Sequence, residues 1–139
     1  MTEPMPRAVM LALKPRFAQA ILDGTKDVEV RRQPVSVARG SLVLLYSSSP
    51  VRAAVGWATV KEVLTGDLGL LWSTHGSRTC LDHSEYTDYY RGATTAHALV
   101  LESARRLKRP VTLDELRTTH RTEAPQSWRF LPESLRPEL

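Results

Sequence analysis

The chain is short of cysteine, lysine and aromatic residues, and it contains no long hydrophobic run. Its single cysteine, Cys80, excludes an internal disulfide and suits a reducing compartment, so a cytoplasmic location is expected. The longest unbroken apolar stretch is AVMLAL, Ala8–Leu13, far below the ~20 residues that span a bilayer as a helix. The opening MTEPMP places acid and proline ahead of that stretch, which is not the order of a secretory signal. No membrane partner is expected. The segment GDLGLLW, Gly66–Trp72, has neither the spacing of a phosphate-binding loop nor its Lys-Ser/Thr ending. His75, Cys80, Asp82 and His83 crowd one stretch, but H-x4-C-x2-H is no standard zinc module. Neither a metal nor another cofactor is expected. A Cys80–His83 nucleophilic pair would lack the third group that orients such a base.

What the chain does have is arginine, 15 residues against 4 lysines. The net charge is +4 and the sequence pI about 9.6. The arginine fork pairs with phosphate and stacks on bases, so this balance suits a nucleic-acid ligand without demanding one. A length of 139 residues, 42% of them hydrophobic, is enough to bury a core, and a single domain over 1–139 is expected.

Periodicity then orders the elements. RAVMLAL, Arg7–Leu13, reads as a buried strand. In PRFAQAILDG, Pro15 suits a first helical turn, Phe17, Ala20 and Ile21 share a face, and Gly24 supplies the left-handed stop. TKDVEVRR alternates, with Val28 and Val30 on one side and Asp27, Glu29 and Arg31 on the other. A loop leads to the strand SLVLLYSSS, Ser41–Ser49, and then to the long alternating run Arg52–Leu64, where Gly56 marks a bulge or a close backbone approach. The middle of the chain, as far as Gly92, reads as a helical insertion. Thr94–Leu107 returns to β character, Thr112 and Glu115 open a helix as a capping box, and APQSWRFLPESL ends in a short strand. The order β-α-β-β-β-(helices)-β-α-β shows no βαβ regularity that demands a parallel sheet. An α+β fold built on a small, partly closed β-barrel with flanking α-helices is expected, because closure hides strand edges.

The ordered set KPRFAQAILDG, then G-x-K-x-x-E-x-R as Gly24, Lys26, Glu29 and Arg31, then GSLVLLYSSSP, AAVGWATV, DYYRG and APQSW, resembles the ASCH domain of the PUA-like superfamily. The resemblance covers roughly residues 8–131. It implies a β-barrel with flanking helices, a cleft lined by the Lys/Glu/Arg strand, and an RNA, nucleic-acid, nucleotide or nucleoside partner. Some members are enzymes, either acetylcytidine amidohydrolases or ribonucleases. The amidohydrolases carry a threonine three residues after their lysine, where this chain has Glu29.

Lys26, Glu29 and Arg31 are the leading site residues. Lys26 and Arg31 suit a phosphate, and Glu29 suits an amine or a ribose hydroxyl. On a regular strand, however, Lys26 faces away from Glu29 and Arg31, so convergence requires an irregularity near Thr25–Asp27. The bland alternative is a surface ion pair worth roughly 0–1 kcal/mol. Tyr46 and Ser47 follow a buried strand and could offer hydroxyls at the cleft mouth. Tyr89 and Arg91 are further cleft candidates, and Arg105, Arg106 and Lys108 form an auxiliary phosphate patch. Trp57, Trp72 and Trp128 suit the core. The main expectation is an RNA- or nucleotide-binding domain. Its alternatives are a hydrolase on the same fold, with Lys26 and Glu29 catalytic, or a regulatory protein-interaction module.

Overall fold

A computed structural model describes residues 8–136. Its elements are β1 (Val9–Leu13), α1 (Pro15–Asp23), β2 (Val28–Arg31), β3 (Leu42–Ser47), β4 (Ala53–Gly66), α2 (Leu68–His75), α3 (His83–Tyr89), β5 (Ala96–Thr112), α4 (Leu113–Thr118) and β6 (Trp128–Phe130). Arg7, where the first strand was expected to begin, lies outside the described residues. The six strands form one sheet in the order β2-β5-β4-β3-β1-β6. That sheet curls into a half-barrel flanked by helices, the mixed α+β architecture expected of the sequence. No helix among the described residues is long and apolar enough to cross a membrane.

One pairing departs from the expectation. β1 and β3 run parallel, with Ala12 beside Tyr46, whereas the other paired strands are antiparallel. The crossover through α1 and β2 supplies the length that a parallel pair needs.

Strand alternation sorts the core into faces. Val9, Leu11 and Leu13 of β1 pack with Val43 and Leu45 of β3, and with Ala18 and Ile21 of α1, on the concave side. The intervening Met10 and Leu44 pack with Tyr46, Trp57 and Leu116 of α4 on the opposite side. Val28 and Val30 of β2 carry the helical insertion, packing with Leu71, Tyr86 and Tyr90. The insertion is fastened locally as well: Asp82 and Glu85 form a reciprocal capping box at α3. At α4 the Thr112 side chain accepts from the Glu115 amide, and the helix ends at Thr118.

α1 stops at Gly24, whose φ of 84° only glycine adopts without cost. β5 runs on to Thr112, past the expected end at Leu107, and contains Pro110. Proline is tolerated there because β2 pairs only with His97–Val100 of β5, leaving the rest of that edge open.

Gly56 is a close approach. A Cβ at that position would lie 2.5 Å from Leu22 Cδ2 and 2.6 Å from the Arg105 carbonyl oxygen. The Leu22 side chain can move, but the β5 backbone cannot move without loss of pairing. Gly56→Ala is therefore expected to lower stability by about 1–3 kcal/mol, measured as a reduced urea midpoint at unchanged slope.

Candidate functional site

The conflict over Lys26 disappears once the strand boundary is known. β2 begins only at Val28, so side-chain alternation does not reach Lys26. The amides of Thr25 and Lys26 both donate to the carbonyl of Ala20, which folds the chain back over the end of α1. This turn sends the Lys26 side chain inward, where it is 1% exposed.

There Lys26 Nζ donates to the carbonyls of Val28 at 2.9 Å and Thr79 at 2.5 Å. It lies 3.3 Å from Glu29 Oε1 and 4.7 Å from the centre of the Phe17 ring. Two of the three ammonium protons are thus given to carbonyls, and its charge faces the Glu29 carboxylate. Glu29 is held from its other side by Arg31, whose Nε lies 3.2 Å from Oε2. That contact is an ion pair without hydrogen-bond alignment, so Arg31 Nε is buried with no hydrogen-bond partner. The rest of the Arg31 guanidinium donates to the Ala12 carbonyl at 2.6 Å and to Ser127 Oγ at 3.3 Å. A row of alternating charge thus runs from Lys26 through Glu29 to Arg31 and ends on Ser127.

The row lines the floor of an open cleft of about 500 Å³. Its walls come from β1 (Ala12, Leu13), from α1 (Arg16, Phe17, with Lys14 just before it), from Leu81 and from α3 (Glu85, Asp88, Tyr89). Tyr89 is partly exposed and its hydroxyl donates to the Val30 carbonyl at 3.1 Å. Burial pushes this phenol above its ordinary range, so it remains a neutral donor. Arg32 donates to the carbonyls of Tyr89 and Arg91, which ties the end of α3 to β2. At the rim, Arg16 pairs with Glu85 at 2.6 Å. That contact draws the Glu85 carboxyl below its usual range, chiefly through the hydrogen bond from Arg16.

The structure therefore brings together Lys26, Glu29, Arg31 and Tyr89, and it places the other expected residues elsewhere. Arg91 points into solvent and pairs with Asp88. Tyr46 is buried on the opposite face of the sheet. Burial raises its phenol, opposed by the positive charges of Arg117 and Arg52. Ser47 is buried at the end of β3 beside Leu13. Arg105, Arg106 and Lys108 lie on exposed β5, away from the cleft, with Arg106 paired to Asp23 at 2.6 Å. Lys14, Arg16, Phe17 and Ser127 were not singled out by sequence reasoning. Lys14, Arg16 and Phe17 do lie in KPRFAQAILDG and Ser127 in APQSW, two of the segments that carry the family resemblance. Among the described residues no group of three or more His, Cys, Asp or Glu is arranged to hold a metal ion.

Comparison with known proteins places this geometry. Residues 6–120 match the family model described as "Domain of unknown function (DUF365)". The chain is 33% identical over 126 residues to an "ASCH domain-containing ribonuclease" of Zymomonas mobilis, covering 90% of this chain and 84% of that protein. The chain belongs to the ASCH domain family. The crystal structure of ASCH from Zymomonas mobilis superposes on this ASCH domain with a TM-score of 0.86 at 32% identity, covering 92% of this chain and 90% of that one. Structures of a serine-to-alanine and a tyrosine-to-phenylalanine variant of that relative match equally well. The large ribosomal subunit protein uL22 of Ureaplasma parvum is 26% identical over 123 residues, which cover 88% of this chain but only 39% of that protein.

Lys26→Met keeps the aliphatic stem but leaves Glu29 with a single cation, and the Val28 and Thr79 carbonyls without their donor. Breaking a buried pair in this way is expected to cost about 3–5 kcal/mol. Arg91→Ala, at an exposed pair, is expected to leave the urea midpoint unchanged. Equilibrium denaturation of the two variants side by side checks both outcomes.

Proposed function

We propose that this ASCH domain binds RNA in the cleft floored by Glu29 and Arg31. The observation that carries the reading is the convergence of Lys26, Glu29 and Arg31 on one open cleft, in a chain 33% identical to an ASCH domain-containing ribonuclease. Lys26 acts as a positioning residue, because it is buried, hydrogen-bonded to the Val28 and Thr79 carbonyls and paired with Glu29. Glu29 and Arg31 face the ligand. Lys14 and Arg16 at the rim provide charge for the phosphate backbone, and exposed Arg105 and Lys108 extend that charge over β5.

A second reading, that the domain also cleaves RNA, is favoured by the position of Ser127. Its hydroxyl accepts from Arg31, its carbonyl accepts from the Ala12 amide, and Ala12 is paired with Tyr46 in the sheet. In phosphodiester cleavage by the 2′-hydroxyl, a 2′-O–P bond forms as the P–O5′ bond breaks. The 2′ proton leaves to a base and the departing 5′ oxygen takes up a proton. Arg31 in the cleft stabilises the charge gathering on the phosphoryl oxygens, and water in the open cleft takes the 2′ proton and supplies the one the 5′ oxygen needs.

The test is fluorescence anisotropy with a labelled single-stranded RNA at several salt concentrations, alongside a gel assay of its cleavage. Binding that weakens as salt rises is expected, with Arg31→Lys weaker than wild type by about tenfold and circular dichroism unchanged. Ser127→Ala, which removes a partner that orients Arg31, is expected to slow cleavage by about a hundredfold while affinity is retained. Absence of salt-sensitive binding by the wild type sinks the binding reading. Binding without any cleavage sinks the second.

A further inference from the structure

Resting on the RNA-binding reading above, we infer that Glu29 reads a base edge and that the base it selects is guanine. The argument is an inventory of free hydrogen-bonding capacity on the cleft floor. Lys26 gives two protons to the Val28 and Thr79 carbonyls and turns its charge to Glu29. Each terminal nitrogen of Arg31 gives one proton, to Ala12 or to Ser127, so the guanidinium keeps further N–H groups beside the carboxylate. The acceptor capacity of the floor lies at Glu29, where each oxygen faces one cation and keeps further lone pairs. At Glu29 the floor therefore takes donors.

Two adjacent acceptors match two adjacent donors. Guanine offers N1–H and the N2 amino group side by side, and a carboxylate takes both in one plane. Adenine and cytosine offer one amino donor next to a ring acceptor, which would face a carboxylate oxygen. Uracil offers a single N3–H between two carbonyls. Beyond Oε2 lies Arg31 Nε, the buried donor without a hydrogen-bond partner. Acceptor, acceptor, donor is the complement of guanine N2, N1 and O6. Nε is covered as the side chain stands, so contact with O6 requires a turn of the guanidinium, whereas the two carboxylate bonds do not.

The surroundings suit a base more than a backbone. The cleft volume of about 500 Å³ accommodates a nucleoside. Tyr89 forms one wall with its orientation set by the bond to Val30, so its ring is a fixed surface against which a base can lie. Lys14 and Arg16 stand at the opening, where a 5′-phosphate emerges once the base points inward. Pinning by Lys26 and Arg31 holds the Glu29 carboxylate in the acceptor geometry, and a base lacking donors would leave it desolvated without compensation.

The experiment is a titration of the uniformly 15N-labelled chain with guanosine, inosine and uridine 5′-monophosphates, none of which has a phosphodiester to cleave. Amide shifts at Lys26–Arg31 and Tyr89 report binding in the cleft. Guanosine monophosphate is expected to bind about tenfold or more tightly than inosine monophosphate, which lacks only the N2 amino group, and uridine monophosphate more weakly still. The comparison with inosine leaves the protein untouched, so it does not depend on how a variant folds. In Glu29→Gln, checked for native amide dispersion, the guanosine preference is expected to vanish. Tyr89→Leu is expected to weaken guanosine and inosine binding by the same factor. Equal affinity for guanosine and inosine monophosphates overturns the inference, as does an unchanged preference in Glu29→Gln or no binding of any monophosphate. If salt-sensitive RNA binding is still measured, the RNA reading survives those results; if that is also absent, both fall.

Discussion

The buried row Lys26–Glu29–Arg31 is the interaction on which the cleft and the helical insertion both depend. Taking three charges out of water costs several kcal/mol per ion unless each finds opposite charge and hydrogen bonds. Here the ammonium meets a carboxylate and two carbonyls, and the carboxylate meets two cations. Those partners come from separate parts of the chain. Lys26 fastens the middle of the insertion, at Thr79 between α2 and α3, to the start of β2, and the neighbouring Asp27–Arg78 pair reinforces the same seam at the surface. Arg31 reaches from β2, one edge of the sheet, to Ala12 of β1 and Ser127 next to β6 at the other. A side chain spans the opening that strand pairing leaves in the half-barrel.

That structural work has a functional consequence. A carboxylate already immobilised between cations loses little further freedom when it accepts a ligand, and preorganisation of this kind favours affinity and discrimination alike. It also defines what the cleft refuses. Lys26, the most obvious ligand residue by type, is the one most completely engaged by protein, while Glu29 keeps open capacity. The charge character of the site is therefore not the simple sum of its residues: a net positive floor still presents an acceptor to whatever enters.

Much of the fold was legible beforehand, for local reasons. The Phe17–Ile21 spacing and Gly24 marked α1. The alternation of Val28 and Val30 marked the core face of β2, and Gly56 marked a backbone approach. The site was legible only in part. Strand parity placed Lys26 on the wrong side, because parity holds only inside a strand and Lys26 lies in the turn before it. Tyr46 and Ser47 read as a cleft mouth because hydroxyls end a buried strand. Their exposure was decided by what packs over them, and for Tyr46 that face is closed by Leu116 of α4. Arg91 follows Tyr89 closely in sequence, yet one side chain enters the cleft and the other leaves it.

The sequence by itself determined the elements, their order and the inventory of charge, because periodicity, capping and turn residues act over a few positions. Only the tertiary structure decided which charges meet. Lys26 and Thr79 are 53 residues apart, and Arg31 and Ser127 are 96 apart. Contacts at such separations are set by the curl of the sheet and the docking of the insertion, and no short pattern encodes them. GTKDVEVRR declared that charges would sit beside two core valines; the fold made one of them a tether, one an acceptor and one a bridge.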